Sequence, residues 1–169
     1  MEQRFLSAVT HKGMVYLWDT VSAQADRVYE LSDRHGLAHH LLSPVLTAAL
    51  AAGHHAVACP DPMAPDRLAH LILPELSLAF VTSTAEFPWP HRPYRRLRLD
   101  AMAEEQLRHT SRPRLRFTRK VADALTEDGI SSLVQAKEAH DRLEAIYNPH
   151  VDFEGVYAVA DQLAKEIVG

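Results

Sequence analysis

The sequence predicts an α/β fold: a layered sheet followed by a helical C-terminal part. Three observations carry that expectation. Short, nearly continuous apolar runs at 55–59 (HAVAC) and 76–82 (LSLAFVT) read as strands buried on both faces. Between them and the N-terminal runs, an apolar period of about 3.6 residues at 37–52 reads as a helix packed on such a sheet. The last third of the 169 residues reads as helix.

Taken in order, the runs at 4–9 (RFLSAV), 14–19 (MVYLWD) and 27–31 (RVYEL) are rich in aromatic and β-branched residues and bounded by Gly and polar residues, which predicts strands with a turn at 11–13. The piece at 20–26 is one or two short helical turns. In the helix at 37–52, Leu37, Leu41, Val45, Leu46 and Ala49 share a face, Gly53 ends it, and Pro44 predicts a kink or a late start. A proline-rich turn follows at 60–66, then an apolar stretch to Leu73. Residues 83–99 hold too many prolines for a regular element and read as a surface excursion. Helices are expected at about 100–109, 113–127, 131–147 and 153–168, with Asp128-Gly129 as a break and Asp152 as an N-cap. One domain spans 1–169: a sheet-forming part about 1–85, an irregular arginine-rich segment about 86–112 and C-terminal helices about 113–169.

The net charge of −4 is unevenly distributed: ten Lys or Arg stand against three Asp or Glu between Arg92 and Lys120. That segment would suit an anionic partner or cover the acidic remainder of the same molecule. No run approaches the ~18–20 apolar residues of a membrane-spanning helix. The single cysteine, Cys59, makes no internal disulfide, and no basic segment leads into an apolar run near Met1. The expectation is a cytoplasmic protein.

Residues 32–42 (SDRHGLAHHLL) lie between a strand and a helix, the arrangement that builds a phosphate-binding loop. Two longer stretches, 48–85 (AALAAGHHAVACPDPMAPDRLAHLILPELSLAFVTSTA) and 136–167 (AKEAHDRLEAIYNPHVDFEGVYAVADQLAKEI), resemble a family of bacterial P-loop ATPase-like, nucleotide-kinase-like proteins. In that family a strand and glycine-rich loop precede a Cys-x-x-Asp-Pro-like turn, an I-I-P-E-L segment and a strand ending in D-G-T-A. A helix with A-K-E-x-H-D and a final D-F-E-x-V helix follow. The resemblance implies a P-loop NTPase-like layered sheet and an ATP-type ligand. Family members often carry two such units, so a single unit implies a homodimer that restores the missing half.

Residue by residue the loop departs from G-x-x-x-x-G-K-[ST]. Asp33 stands at the first glycine, Gly36 at an internal position, Ala38 at the second glycine, His39 at the lysine and His40 at the hydroxyl position. Asp33 brings a negative charge to a phosphate cradle, and the family's strand-end aspartate is a threonine within Thr82-Ser83-Thr84. Magnesium-assisted phosphoryl transfer thus lacks its lysine, hydroxyl and acid. The expectation is a degenerate P-loop protein, a non-hydrolysing binding or assembly module with no catalytic residue assigned. The enzyme alternative binds ATP, or another phosphate-containing ligand, through Arg34, Gly36, His39 and His40.

Lys137 and His140 match A-K-E-x-H and complete that candidate ligand set. The apolar stripe through His140 reads first as a core histidine hydrogen-bonded to a backbone group, and in the functional reading that the resemblance implies, Glu144, four residues on, would orient the imidazole. Among the eleven histidines no spacing matches a zinc signature. Cys59 matches the family's cysteine, and at a strand end it reads as a small apolar residue. Arginines interleaved with Trp89 and Tyr94 admit an anion or nucleic-acid binder through 92–120 as a third class.

Overall fold

A computed structural model describes residues 1–102 and 112–168. The sheet is mixed and six-stranded, in the order β1 (Glu2–Gln3), β5 (Val57–Asp61), β6 (Ala64–Leu73), β7 (Leu78–Ser83), β4 (Arg27–Ser32), β8 (Arg95–Arg98). β4 runs parallel to both neighbours, β7 and β8, while β5, β6 and β7 form an antiparallel meander. A second, two-stranded sheet is the hairpin of β2 (Ser7–Thr10) and β3 (Gly13–Tyr16). Helix α1 spans Trp18–Ser22 and α2 spans Ala38–Ala51.

Alternation along the central strands supplies a core on each face, as period-2 side chains require. On one face Val28, Ile72 and Val81 pack with Leu6, Val21 and Trp89 beneath the hairpin and α1. On the other, Leu31, Leu71 and Leu73 pack against Leu42 and Ala49 of α2. Three layers result. α2 continues through Pro44, so the expected late start is not observed. Beyond its last turn Gly53 takes φ +83°, the left-handed conformation that turns the chain into β5.

Several expectations are corrected. The turn at 60–66 shrinks to Pro62-Met63, because β5 runs to Asp61 and β6 begins at Ala64, with the proline at 60 accommodated by bulges between Cys59 and Asp61. The strand expected at 14–19 stops at Tyr16, and Trp18 opens α1. The 86–112 segment is not wholly irregular, since Arg95–Arg98 pairs with Tyr29–Ser32 in register. Residues 99–102 are helical, and the rest of the helix expected at 100–109 lies outside the described residues.

The two expected helices at 113–127 and 131–147 are one, α3, spanning Arg112–Tyr147. An interior glycine costs a helix only ~1 kcal/mol, so Gly129 does not break it. A 3₁₀ turn, Asn148–His150, leads to α4, Phe153–Val168. Its start is capped as expected: the Asp152 carboxylate accepts the Gly155 N–H at 2.9 Å. No described side chain of α3 or α4 is buried. Among the described residues no helix is long and apolar enough to cross a membrane.

Candidate functional site

The strand–loop–helix from β4 to α2 ends at a cavity of about 240 Å³ lined by Asp33, Arg34, Gly36, Ala38 and His39 of the loop and helix start. The hairpin contributes Tyr16, the meander Asp61, Arg67 and His70, and the β7 end Thr82 and Thr84. Small-molecule sites usually offer ~300–1,000 Å³, so this one is small.

Four amides of the loop and helix start, those of Asp33, Arg34, His35 and Ala38, are engaged from within the chain, while those of Gly36 and Leu37 have no acceptor among the described residues. Asp33, only 5% exposed, accepts the His35 N–H at 2.9 Å through Oδ1 and the Ala38 N–H at 2.6 Å through Oδ2. The Asp33 N–H donates to the Ser83 carbonyl at 3.1 Å. The Arg34 N–H donates to Asp100 Oδ1 at 2.6 Å, and the Ser32 hydroxyl donates to the other oxygen of that carboxylate at 3.3 Å. Free N–H groups and the positive end of the helix dipole are what a loop of this kind offers an anion. Here the anion at the start of α2 is Asp33. Gly36, at φ +73°, lets the loop fold back over that carboxylate.

The remaining groups are set for neutrality rather than phosphate capture. His70 is buried beneath Tyr16 and Trp18, accepts the Thr82 N–H at 3.0 Å through Nδ1, and is held neutral because burial pushes its pKa down to about 3. Tyr16 is pushed above the usual phenol range by burial, then by Asp61 and Glu86, so its hydroxyl stays protonated. Two arginines, Arg34 and Arg67, and two carboxylates, Asp33 and Asp61, share the lining. Such a lining presents no net charge to a triphosphate. It can donate and accept hydrogen bonds, but among the described residues its lining holds no lysine, and the Asp33 carboxylate is already engaged by two amides.

No family model, no curated protein and no solved structure matches this chain. The chemistry is therefore read from the residues alone.

Of the residues singled out in the sequence, Arg34, Gly36 and His39 line the cavity. His39 has a structural partner: its Nδ1 accepts the Leu68 N–H at 3.0 Å and lies 3.2 Å from the Ser43 hydroxyl, tying α2 to β6. His40 is exposed, its ring edge-on to that of His39 with centroids 5.6 Å apart, and is not among the lining residues. Lys137 and His140 lie on α3 and do not line the cavity. Lys137 pairs with Asp141 and His140 with Glu144, the latter at 3.3 Å, both along the helix surface. The core position considered for His140 is corrected, because its side chain is more than half exposed. His140, Asp141 and Glu144 bring ligand-type atoms within 4.8 Å of one another, and the helical ion pairs account for that grouping.

Two arginines of the basic segment cover the chain's own acids. Arg96 Nε donates at 2.6 Å to Glu30, a carboxylate only 2% exposed that also accepts the Ser83 hydroxyl at 2.7 Å. Arg119 lies 3.7 Å from Glu86. Asp61, Arg67, His70 and Asp100 are missing from the sequence reading of the site, since each comes from outside the loop. The one readable signal is Asp33, an Asx-turn residue placed two before His35 and just ahead of a helix.

Proposed function

We propose that this chain is a nucleotide-independent assembly module, built on a P-loop-like scaffold whose phosphate cradle serves internal capping. The observation that carries this reading is the Asp33 carboxylate on the His35 and Ala38 amides. A phosphate at the same N–H groups meets a buried negative charge, and displacing it leaves the Asp33 carboxylate without the two N–H donors it now has. The electrically balanced lining and the absence of Lys or an acid from the equivalent loop and strand-end positions support the same conclusion. What remains available for partners is the exposed C-terminal helical pair, α3 and α4.

A second reading is favoured by Arg34 and Arg67 beside Gly36: a phosphate-bearing ligand, ATP included, bound after Asp33 swings away. Calorimetric titration with ATP and ADP, with and without magnesium, decides between them. The assembly reading expects no saturable heat at millimolar nucleotide. Saturable binding that weakens in Gly36→Val assigns the loop to a ligand instead.

A further inference from the structure

A helix of 36 residues extends about 54 Å, and α3 runs that length with no buried described side chain. Helices in water draw most of their stability from packing an amphipathic face, so an uncovered face of this length calls for a partner. The sequence of α3 specifies what kind. Taking residues at alternating steps of three and four from Leu115 to Ile146 gives Leu, Thr, Ala, Leu, Gly, Ser, Ala, Ala, Leu, Ile. No charged residue interrupts that heptad seam, which is the pattern of a coiled-coil contact. Its larger members are open: Leu125 is 68% exposed, Leu143 55% and Ile146 69%.

We propose that this seam binds the α3 of a second copy of the chain, antiparallel and two-fold symmetric. The inference rests on the assembly reading and names its surface. Two features select this partner and orientation. First, charge is polarised along α3: residues 112–126 hold five Lys or Arg and one Asp, whereas 127–147 hold two against five acids. Antiparallel pairing lays each basic half on the partner's acidic half, while parallel pairing stacks like on like. Second, the seam is complementary to its own reverse. With the two-fold axis between Gly129 and Ser132, Leu125 meets Ala136 and Thr118 meets Leu143, large beside small, and Leu115 meets Ile146 at each end. The smallest pair sits at the axis, where the helices approach most closely. Flanking seam positions bring Asp128 beside Gln135 and Val121 beside Arg142, with no like-charge pair.

Sedimentation equilibrium on the full chain tests this. The wild-type protein should run at twice the 18.9 kDa chain mass, and Leu125→Glu should raise the dimer dissociation constant about 100-fold or more. Phe117→Glu, exposed but off the seam, should leave it unchanged. Protection of the buried Cys59 thiol reports that the sheet stays folded in each variant. Mixed Leu125→Cys and Ala136→Cys chains should cross-link as a pair. A wild-type monomer, or a dimer indifferent to Leu125→Glu, overturns the surface. Self-cross-linking of Leu125→Cys alone overturns the antiparallel register. None of these outcomes depends on the nucleotide titration, so the two readings fail separately.

Discussion

Asp33 Oδ2 accepts the Ala38 N–H at 2.6 Å, placing a side-chain carboxylate of the chain at the start of α2, where a phosphate-binding loop holds its ligand. The same carboxylate accepts the His35 N–H through Oδ1, so two amides of this turn are satisfied from within the chain.

Replacing Asp33 with alanine removes one acceptor from two amides that have no other partner. Loss of a helix-capping side chain costs ~0.5–2 kcal/mol, and an unpaired buried N–H adds to it. Urea unfolding of Asp33→Ala should show a loss of about 1–3 kcal/mol. A stability equal to wild type contradicts the capping role.

Gly36→Val should destabilise by about 1–3 kcal/mol, because a β-branched residue is strained in the left-handed conformation. The nearest atom to an added Cβ is Arg67 Nη1 at 3.5 Å, ordinary contact, so the effect is one of backbone strain rather than crowding. A Gly36→Asn variant, more tolerant of positive φ, should recover part of the loss in the same measurement.

The buried His70 makes stability pH-dependent in a defined window. Its folded pKa of about 3 lies below the unfolded value of 6.5, so the unfolded state binds the extra proton between these limits. Stability therefore rises with pH through that window and is lost as pH falls below 6.5, by up to about 1.4 kcal/mol per pH unit. Between pH 6.5 and 5, above the ordinary carboxylate range, His70→Gln should flatten the slope. An unchanged slope assigns the dependence elsewhere.

Arg96→Ala leaves Glu30 buried with only the Ser83 hydroxyl. Breaking a fully buried ion pair costs ~3–5 kcal/mol, and the half-exposed guanidinium brings the expected loss to about 2 kcal/mol. Arg95→Ala, on the neighbouring exposed position, should stay within ~0.5 kcal/mol of wild type.

Burial pushes the Cys59 thiol up to about 11, leaving almost no thiolate at neutral pH. A neutral disulfide reagent should react with it at the rate of unfolding, and full labelling in denaturant should be immediate. Rapid labelling of the native chain contradicts this burial.

The strand–loop–helix unit at 27–51 is legible in the sequence because its signals are local: a β-branched run, one glycine and a helical apolar period. β8 is not, because its ladder comes from β4, more than sixty residues away in sequence, and strand formation depends on such pairing more than on composition. The continuity of α3 is hidden by Asp128-Gly129, a break signal too weak to stop a helix. At the site, Asp33 is half legible as a turn residue. The carboxylate of Asp100, which accepts the Arg34 amide, is placed only by the β4–β8 register.

The most direct test follows the backbone amides of His35 and Ala38 by NMR while inorganic phosphate is added. In the wild-type chain both resonances should stay in place at millimolar phosphate, and in Asp33→Ala they should shift saturably as the anion takes the vacated N–H groups. Saturable shifts in the wild-type chain would show that the loop holds phosphate despite its own carboxylate.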